Sequence, residues 1–224
     1  MNTTIIFDIE TGGLPEAELR ALYREPTFEE FAAECDQRWK PETKAAKWEE
    51  ARASGWNRFV ERAALSPLTG QVLAVGVYYA GRPEPIEIFS EDEPDILARF
   101  WDLVDDDASL FIGHNIHGFD LPFFVRRSWK HRIAVPEGLI ERNRYWSPRF
   151  IDTMAVWSAG DRNGTVSLDT LARFFGVGQK PEGIGGGDFA RLWAGTVDER
   201  RKAITYLRND LDMTAAVAER MGLL

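Results

Sequence analysis

Apolar and polar positions divide the chain into strands first, then alternating helices and strands. Thr4 to Asp8 reads as a buried strand. Residues 15 to about 66 change character, being charged, glycine-poor and helical in period, with Thr27-Phe28-Glu29-Glu30 in capping-box form. Trp39, Trp48 and Trp56 are spaced along this stretch. Pro67-Leu68-Thr69-Gly70 makes a turn into a strand over Gln71 to Tyr79. Gly81-Arg82-Pro83 makes another, into a strand over Pro85 to Phe89. Strands joined by so short a turn are expected to pair antiparallel.

Beyond them, Ser90 to Glu93 opens a helix running to about Val104, and Leu110 to Gly113 is a short buried strand. Leu121 to Lys130 is a helix with Asp120 at or next to its N-cap, and Arg149 to Asp152 reads as a last short strand. Ser167-Leu168-Asp169-Thr170 starts a helix that Gly176 ends. Thr196-Val197-Asp198-Glu199 is a second capping box, leading a long helix to about Met221. No repeat is visible. This order predicts an α/β protein: a mixed sheet flanked by helices, with a helical insertion after the first strand.

Composition is that of a globular protein able to bury a core, and no apolar run is long enough to span a bilayer. The N-terminus enters a strand pattern at once, which is expected to leave no room for a signal peptide. A single cysteine, Cys35, excludes an internal disulfide and fits a reducing cytoplasm. The net charge of −9 argues against a general electrostatic grip on nucleic acid. Such a partner would be held locally by metals, stacking and a few placed cations. The densest basic cluster, Arg126 to Arg132, fits a solvated helix end or a phosphate patch.

Four acids adjoin apolar stretches, where an unpaired charge is costly. Asp8 and Glu10 lie two apart on a strand and so face the same way. Thr11-Gly12-Gly13 follows, bare enough for close ligand approach. Asp120 closes Gly113-His114-Asn115-Ile116-His117-Gly118-Phe119-Asp120, and by itself fits a helix cap as well as a ligand. Asn115 alone is a common turn residue. Tyr206 and Asp210 are four apart and share a helix face, beside a stripe of Ile204, Leu207, Leu211, Ala215 and Ala218. Converging carboxylates require something positive between them, and hard oxygen ligands favour magnesium or manganese. His114 and His117 lack the companions of a zinc site and read as loop hydrogen-bonders. Gly183 to Gly187 has no strand before it and no Lys-Ser/Thr ending, so it reads as a mobile connection rather than a phosphate loop.

In chain order, these pieces resemble the DEDD superfamily of 3′–5′ exonucleases, which have a ribonuclease-H-like fold. Phe7-Asp8-Ile9-Glu10-Thr11 looks like the first motif of that family. Asn115-Ile116-His117-Gly118-Phe119-Asp120 looks like the second, in the form seen in proofreading domains of family B DNA polymerases. Tyr206 with Asp210 looks like the third, in its tyrosine variant, since the position a histidine variant would use is Thr205. The resemblance covers nearly all of the chain outside residues 15 to 66, including Asp152-Thr153 and Ser167 to Ala172. It implies one exonuclease domain over residues 1–224, with a site for two divalent ions, magnesium or manganese. Asp8 would touch both, Glu10 and Asp210 would complete the site that activates water, and Asp120 would help hold the other ion. Tyr206 would orient the water, while Thr11, Asn115 and Phe119 would place the last nucleotides.

The implied partner is a single-stranded 3′ end, DNA ahead of RNA, although no short motif here reads the 2′ position that separates the two. With no length left for a polymerase domain, a stand-alone nuclease or a detached part of a larger machine is expected. The insertion leaves the chain just after the acid-bearing strand, and would clamp a strand, recruit a protein, or only bury its tryptophans. Rival readings are a catalytically silent nucleic-acid-binding module on the same fold, and an α/β interaction protein with a regulatory metal.

Overall fold

A computed structural model describes residues 3–81, 86–90, 92–105, 109–139, 147–161, 163–181, 183 and 185–224. The expected turn through Arg82 and Pro83 and the strand start at Pro85 lie outside these residues, as do Glu91 and Ile184. In chain order the elements are β1 (Thr3–Gly13), α1 (Glu16–Leu22), α2 (Phe28–Glu34), α3 (Pro41–Arg62), β2 (Gly70–Tyr79) and β3 (Glu87–Phe89). Next come α4 (Glu93–Val104), β4 (Ser109–Gly113), α5 (Asp120–His131), β5 (Phe150–Asp152) and α6 (Thr153–Ser158). Last are α7 (Leu168–Phe175), α8 (Phe189–Trp193) and α9 (Val197–Arg220).

The chain divides into two compact units, one of residues 1–11 and 72–224, the other of residues 12–71. The first holds a mixed sheet in the order β3-β2-β1-β4-β5. β1 runs parallel to β4, with Ile5 opposite Phe111, and β4 runs parallel to β5, with Gly113 opposite Asp152. β2 pairs antiparallel with β3, as the short turn predicts. β1 and β2 are antiparallel too, since Ala80 N donates to Thr4 O at one end and Leu14 N donates to Thr69 O at the other. The five-stranded mixed sheet flanked by helices is the expected α/β, ribonuclease-H-like fold.

Alternation along β1 decides where the acids go. Ile5, Phe7 and Ile9 enter one core with Phe100 of α4 and Phe124 of α5, whose rings stack at 4.3 Å between centroids. Ile6 points the other way, into a cluster with Leu211 and Ala218 of α9. Asp8 and Glu10 continue the Ile6 face and so point to the α9 side. Helix α9 lies close on the sheet here. A Cβ on Gly76 of β2 would come within 2.6 Å of Leu211 Cδ1, so the helix approaches only because that position is glycine. Thr196 and Glu199 form the expected capping box that starts α9. The buried stripe of α9 runs through Ala203, Tyr206, Leu207, Asp210, Leu211, Thr214, Val217 and Ala218, while Ile204 and Ala215 are only half-buried.

The second unit is helical, as its sequence predicts, and Thr27 with Glu30 makes the capping box of α2. Its small core is Leu14, Leu19 and Ala63, with Trp56 and Phe59 against them. Trp48 is held by Phe28 and Phe31, and Trp56 by Tyr23 and Phe59, whereas Trp39 is 40% exposed. A Cβ at Gly13 would meet Ala63 Cβ at 3.2 Å, so this glycine serves packing within the insertion rather than open ligand approach.

Candidate metal centre

The site forms at the carboxyl end of the parallel strands, where open α/β sheets usually place ligands. β1 supplies Asp8 and Glu10, and α9 supplies Asp210. One carboxylate oxygen from each lies within 4.8 Å of the other two, with Glu10 and Asp210 buried and Asp8 partly so. Asp120 opens α5 directly after the β4 loop, and its Oδ1 accepts a hydrogen bond from Ile9 N of β1 at 3.3 Å. Phe119 holds the N-cap position, and among the described residues no side chain caps the helix there. Asp120 is therefore turned toward the sheet, and the capping alternative does not describe it.

The electrostatics match this convergence. Burial, then the charges of Asp120 and Asp210, push the Asp8 carboxyl well above the usual carboxylate range. Burial, then Asp8 and Asp210, do the same to Glu10. Burial raises Asp120 to about 7 and raises Asp210 as well, although a lysine opposes the shift at Asp210.

That lysine is Lys180, which motif reading did not find. Its Nζ donates to Asp210 Oδ2 at 2.6 Å and to Tyr206 Oη at 2.6 Å. Burial works against the ammonium, but Asp210 and the two hydrogen bonds outweigh it and hold Lys180 above the usual lysine range. Tyr206 is buried, and Lys180 Nζ links its hydroxyl to Asp210. Burial, then the Asp210 charge, pushes it up to about 12, so it keeps its proton. A lone lysine in the segment after Gly176 carries no motif. The only signal for it was the need for positive charge among the acids, a need that a side chain can meet as well as a metal.

A divalent metal fits these residues. Among the described residues no hydrogen-bond donor reaches Asp210 Oδ1, although that oxygen is buried. A buried, unpartnered carboxylate oxygen is costly, and coordination would satisfy it. The donors are all hard carboxylate oxygens, the set that suits magnesium and manganese. Lys180 supplies one positive charge against the four acids.

The second motif is held by Asp152 at the end of β5, to which the sequence assigned no role. Its carboxylate accepts from Asn115 N at 2.8 Å, His117 N at 2.9 Å and Met154 N at 2.9 Å. Asn115 takes a left-handed backbone at φ 62°, within the range asparagine tolerates. Phe119 is half-buried, its ring 5.5 Å from that of Phe123. Thr11 is buried on β1, where alternation turns it away from Asp8 and Glu10. His114 bonds Thr153 Oγ1 and Val166 O, and His117 bonds Phe150 O, the loop roles expected of them. The basic run does not form one patch. Arg127 is buried in a two-point pair with Glu93, at 2.9 and 2.6 Å, and His131 joins the same carboxylate at 2.7 Å. Asp212 is exposed, outside the cluster.

The chain is 28% identical over 162 residues to an uncharacterized protein of Methanocaldococcus jannaschii, MJ0365, covering 69% of this chain and 88% of that protein. The fold resembles that of the family B DNA polymerase from the hyperthermophilic archaeon Pyrobaculum calidifontis, with a TM-score of 0.61 at 18% identity. That match takes in 99% of this chain but only 24% of the polymerase. A family model described as RNase_H superfamily (RNase_H_2) matches residues 60–221, a span that contains Asp120, Tyr206 and Asp210. Asp8 and Glu10 lie before that span, on the strand that β4 pairs with. On the breadth of the family match, the chain belongs to the RNase H superfamily.

Proposed function

We propose that the protein is a metal-dependent 3′–5′ exonuclease acting on single-stranded DNA ends in preference to RNA. The observation that carries this reading is the meeting of Asp8, Glu10 and Asp210 within 4.8 Å, with a buried Asp210 oxygen left open. The fold likeness to a family B DNA polymerase supports it. Asp8, Glu10, Asp120 and Asp210 would hold two divalent ions, magnesium or manganese. Bound there, such ions supply Lewis acidity toward the phosphodiester and make a nucleophile available at neutral pH.

The remaining work falls to the chain. Tyr206 stays protonated between Lys180 and Asp210 and would orient the attacking water by hydrogen bonding, not by taking its proton. Lys180 would balance negative charge beside Asp210. Asn115 and Phe119 would seat the terminal nucleotides, with the Phe119 ring offering a face for stacking. A terminal base must be unpaired to reach that ring, which favours single strands. Residues 1–224 would act as one exonuclease domain in a reducing cytoplasm, with the insertion clamping a strand or docking a protein partner. Among the described residues no helix is long and apolar enough to cross a membrane.

A second reading, a nucleic-acid-binding module that does not cleave, draws on the Lys180 ammonium already seated on Asp210 Oδ2. One digestion separates the two. Single-stranded DNA, duplex DNA and RNA, each 5′-labelled, are incubated with magnesium, manganese or chelator. The exonuclease reading predicts a ladder of shortening products that chelator abolishes, strongest on single-stranded DNA. Cleavage that persists in excess chelator, or that starts within circular DNA, would refute it. Binding without cleavage would favour the second reading.

A further inference from the structure

Lys180 reaches the acids with its side chain, but its main chain is held elsewhere. Its N–H donates to Asp169 Oδ1 at 2.6 Å, and Arg173 Nε holds Asp169 Oδ2 at 2.8 Å. Asp169 is the second residue of α7, whose start is fixed by Ser167 accepting from Thr170 N. Leu168, Leu171 and Ala172 of α7 are buried against Met213 and Val217 of α9. The helix that carries Asp169 is thus packed on the helix that carries Tyr206 and Asp210. A lysine stem is long and flexible, and two simultaneous bonds at its tip cost much rotamer freedom unless its root is fixed. The Asp169 carboxylate is what fixes that root.

Resting on the reading of the acids as a metal centre, we propose that Asp169 is a positioning residue. By pinning the Lys180 main chain, it sets how firmly the Lys180 ammonium competes with a divalent metal for Asp210. Asp169 touches neither the acids nor Tyr206; its charge acts on Asp210 from a distance, and any further effect on the metal should pass through Lys180. A merely structural role is the rival, because an acid in the first turn of a helix stabilises the helix whatever Lys180 does.

Manganese affinity of the metal-free protein, measured by calorimetry across a double-mutant cycle, separates the two. Lys180→Met removes the competing cation and should tighten manganese binding roughly thirtyfold or more, the scale that one unit charge about 4 Å from a divalent ion sets even in bulk water. Asp169→Ala should shift affinity the same way, by about threefold, since the ammonium is loosened rather than lost. Asp169→Ala added to Lys180→Met should tighten binding no further, and any slight weakening there reads the direct effect of the Asp169 charge on Asp210. Asp169→Asn keeps an oxygen for the Lys180 N–H and should restore wild-type affinity. Should Asp169→Ala lose its circular dichroism signal, Asp169→Ser replaces it in the cycle, keeping a polar group at the helix start while falling short of the Lys180 main chain. Equal shifts with and without Lys180 would overturn the positioning role, as would Asp169→Asn behaving like alanine. A wild-type protein that binds no manganese would instead remove the metal reading itself, and the positioning role with it.

Discussion

Replacing Glu10 with glutamine should stabilise the metal-free protein while weakening its response to metal. Glu10 is buried, and an oxygen of it lies within 4.8 Å of oxygens on Asp8 and Asp210. At an effective dielectric of about 20, two like unit charges at such a distance repel by about 3–4 kcal/mol. Attraction to Lys180 offsets roughly one such pair, and proton uptake relieves part of the rest. A net gain of about 2 kcal/mol for Glu10→Gln follows, or roughly 4–8 °C in Tm for a chain of this size. The assay is thermal or denaturant unfolding near neutral pH, in chelator and again in manganese. Wild type should gain stability with manganese by mass action, and Glu10→Gln should gain much less. A variant that is less stable than wild type in chelator would show that Glu10 makes net favourable contacts in the fold, and would refute the picture of strained, unneutralised acids.

Other outcomes follow from the same geometry. Tyr206→Phe removes one hydroxyl and leaves the ring in place, so single-turnover cleavage should fall about 10–100-fold while folding holds; an unchanged rate would reject its role toward water. Asp210→Asn should nearly abolish metal-dependent cleavage, whereas Asp212→Asn, on the exposed side of α9, should retain most of it; the reverse ranking in single-turnover rates would contradict the placement. The metal-free protein should lose stability as pH rises from about 4 to about 7. Asp8, Glu10, Asp120 and Asp210 are all harder to ionise folded than unfolded, so the folded state holds protons that the unfolded chain has released. A flat or rising urea-unfolding profile across that window would count against it. Asp152→Ala should cost about 1–3 kcal/mol, because half-buried backbone N–H groups of the second motif lose their acceptor; a cost under about 0.5 kcal/mol in urea unfolding would show that the loop holds without it.

The strand alternation that puts Asp8 and Glu10 on one face, and the four-residue spacing of Tyr206 and Asp210, were legible because each depends only on local period. The helical insertion and the antiparallel pair were legible for the same reason. Asp120 was ambiguous between cap and ligand, because its orientation depends on Ile9 N, distant in sequence. Lys180 and Asp152 were not assigned, since each acts through bonds to residues 30 and about 35 positions away that no spacing rule links. The basic run was read as a surface feature because its burial partner, Glu93, lies on another helix. The turn to packing at Gly13 was likewise invisible without Ala63 beside it.

The most direct measurement of the central claim is an anomalous difference map from crystals grown in manganese. The account predicts a peak bound by oxygens of Asp8, Glu10 and Asp210, with the Lys180 ammonium withdrawn from Asp210 Oδ2. A map in which manganese binds elsewhere, while Lys180 keeps its place on Asp210, would contradict it.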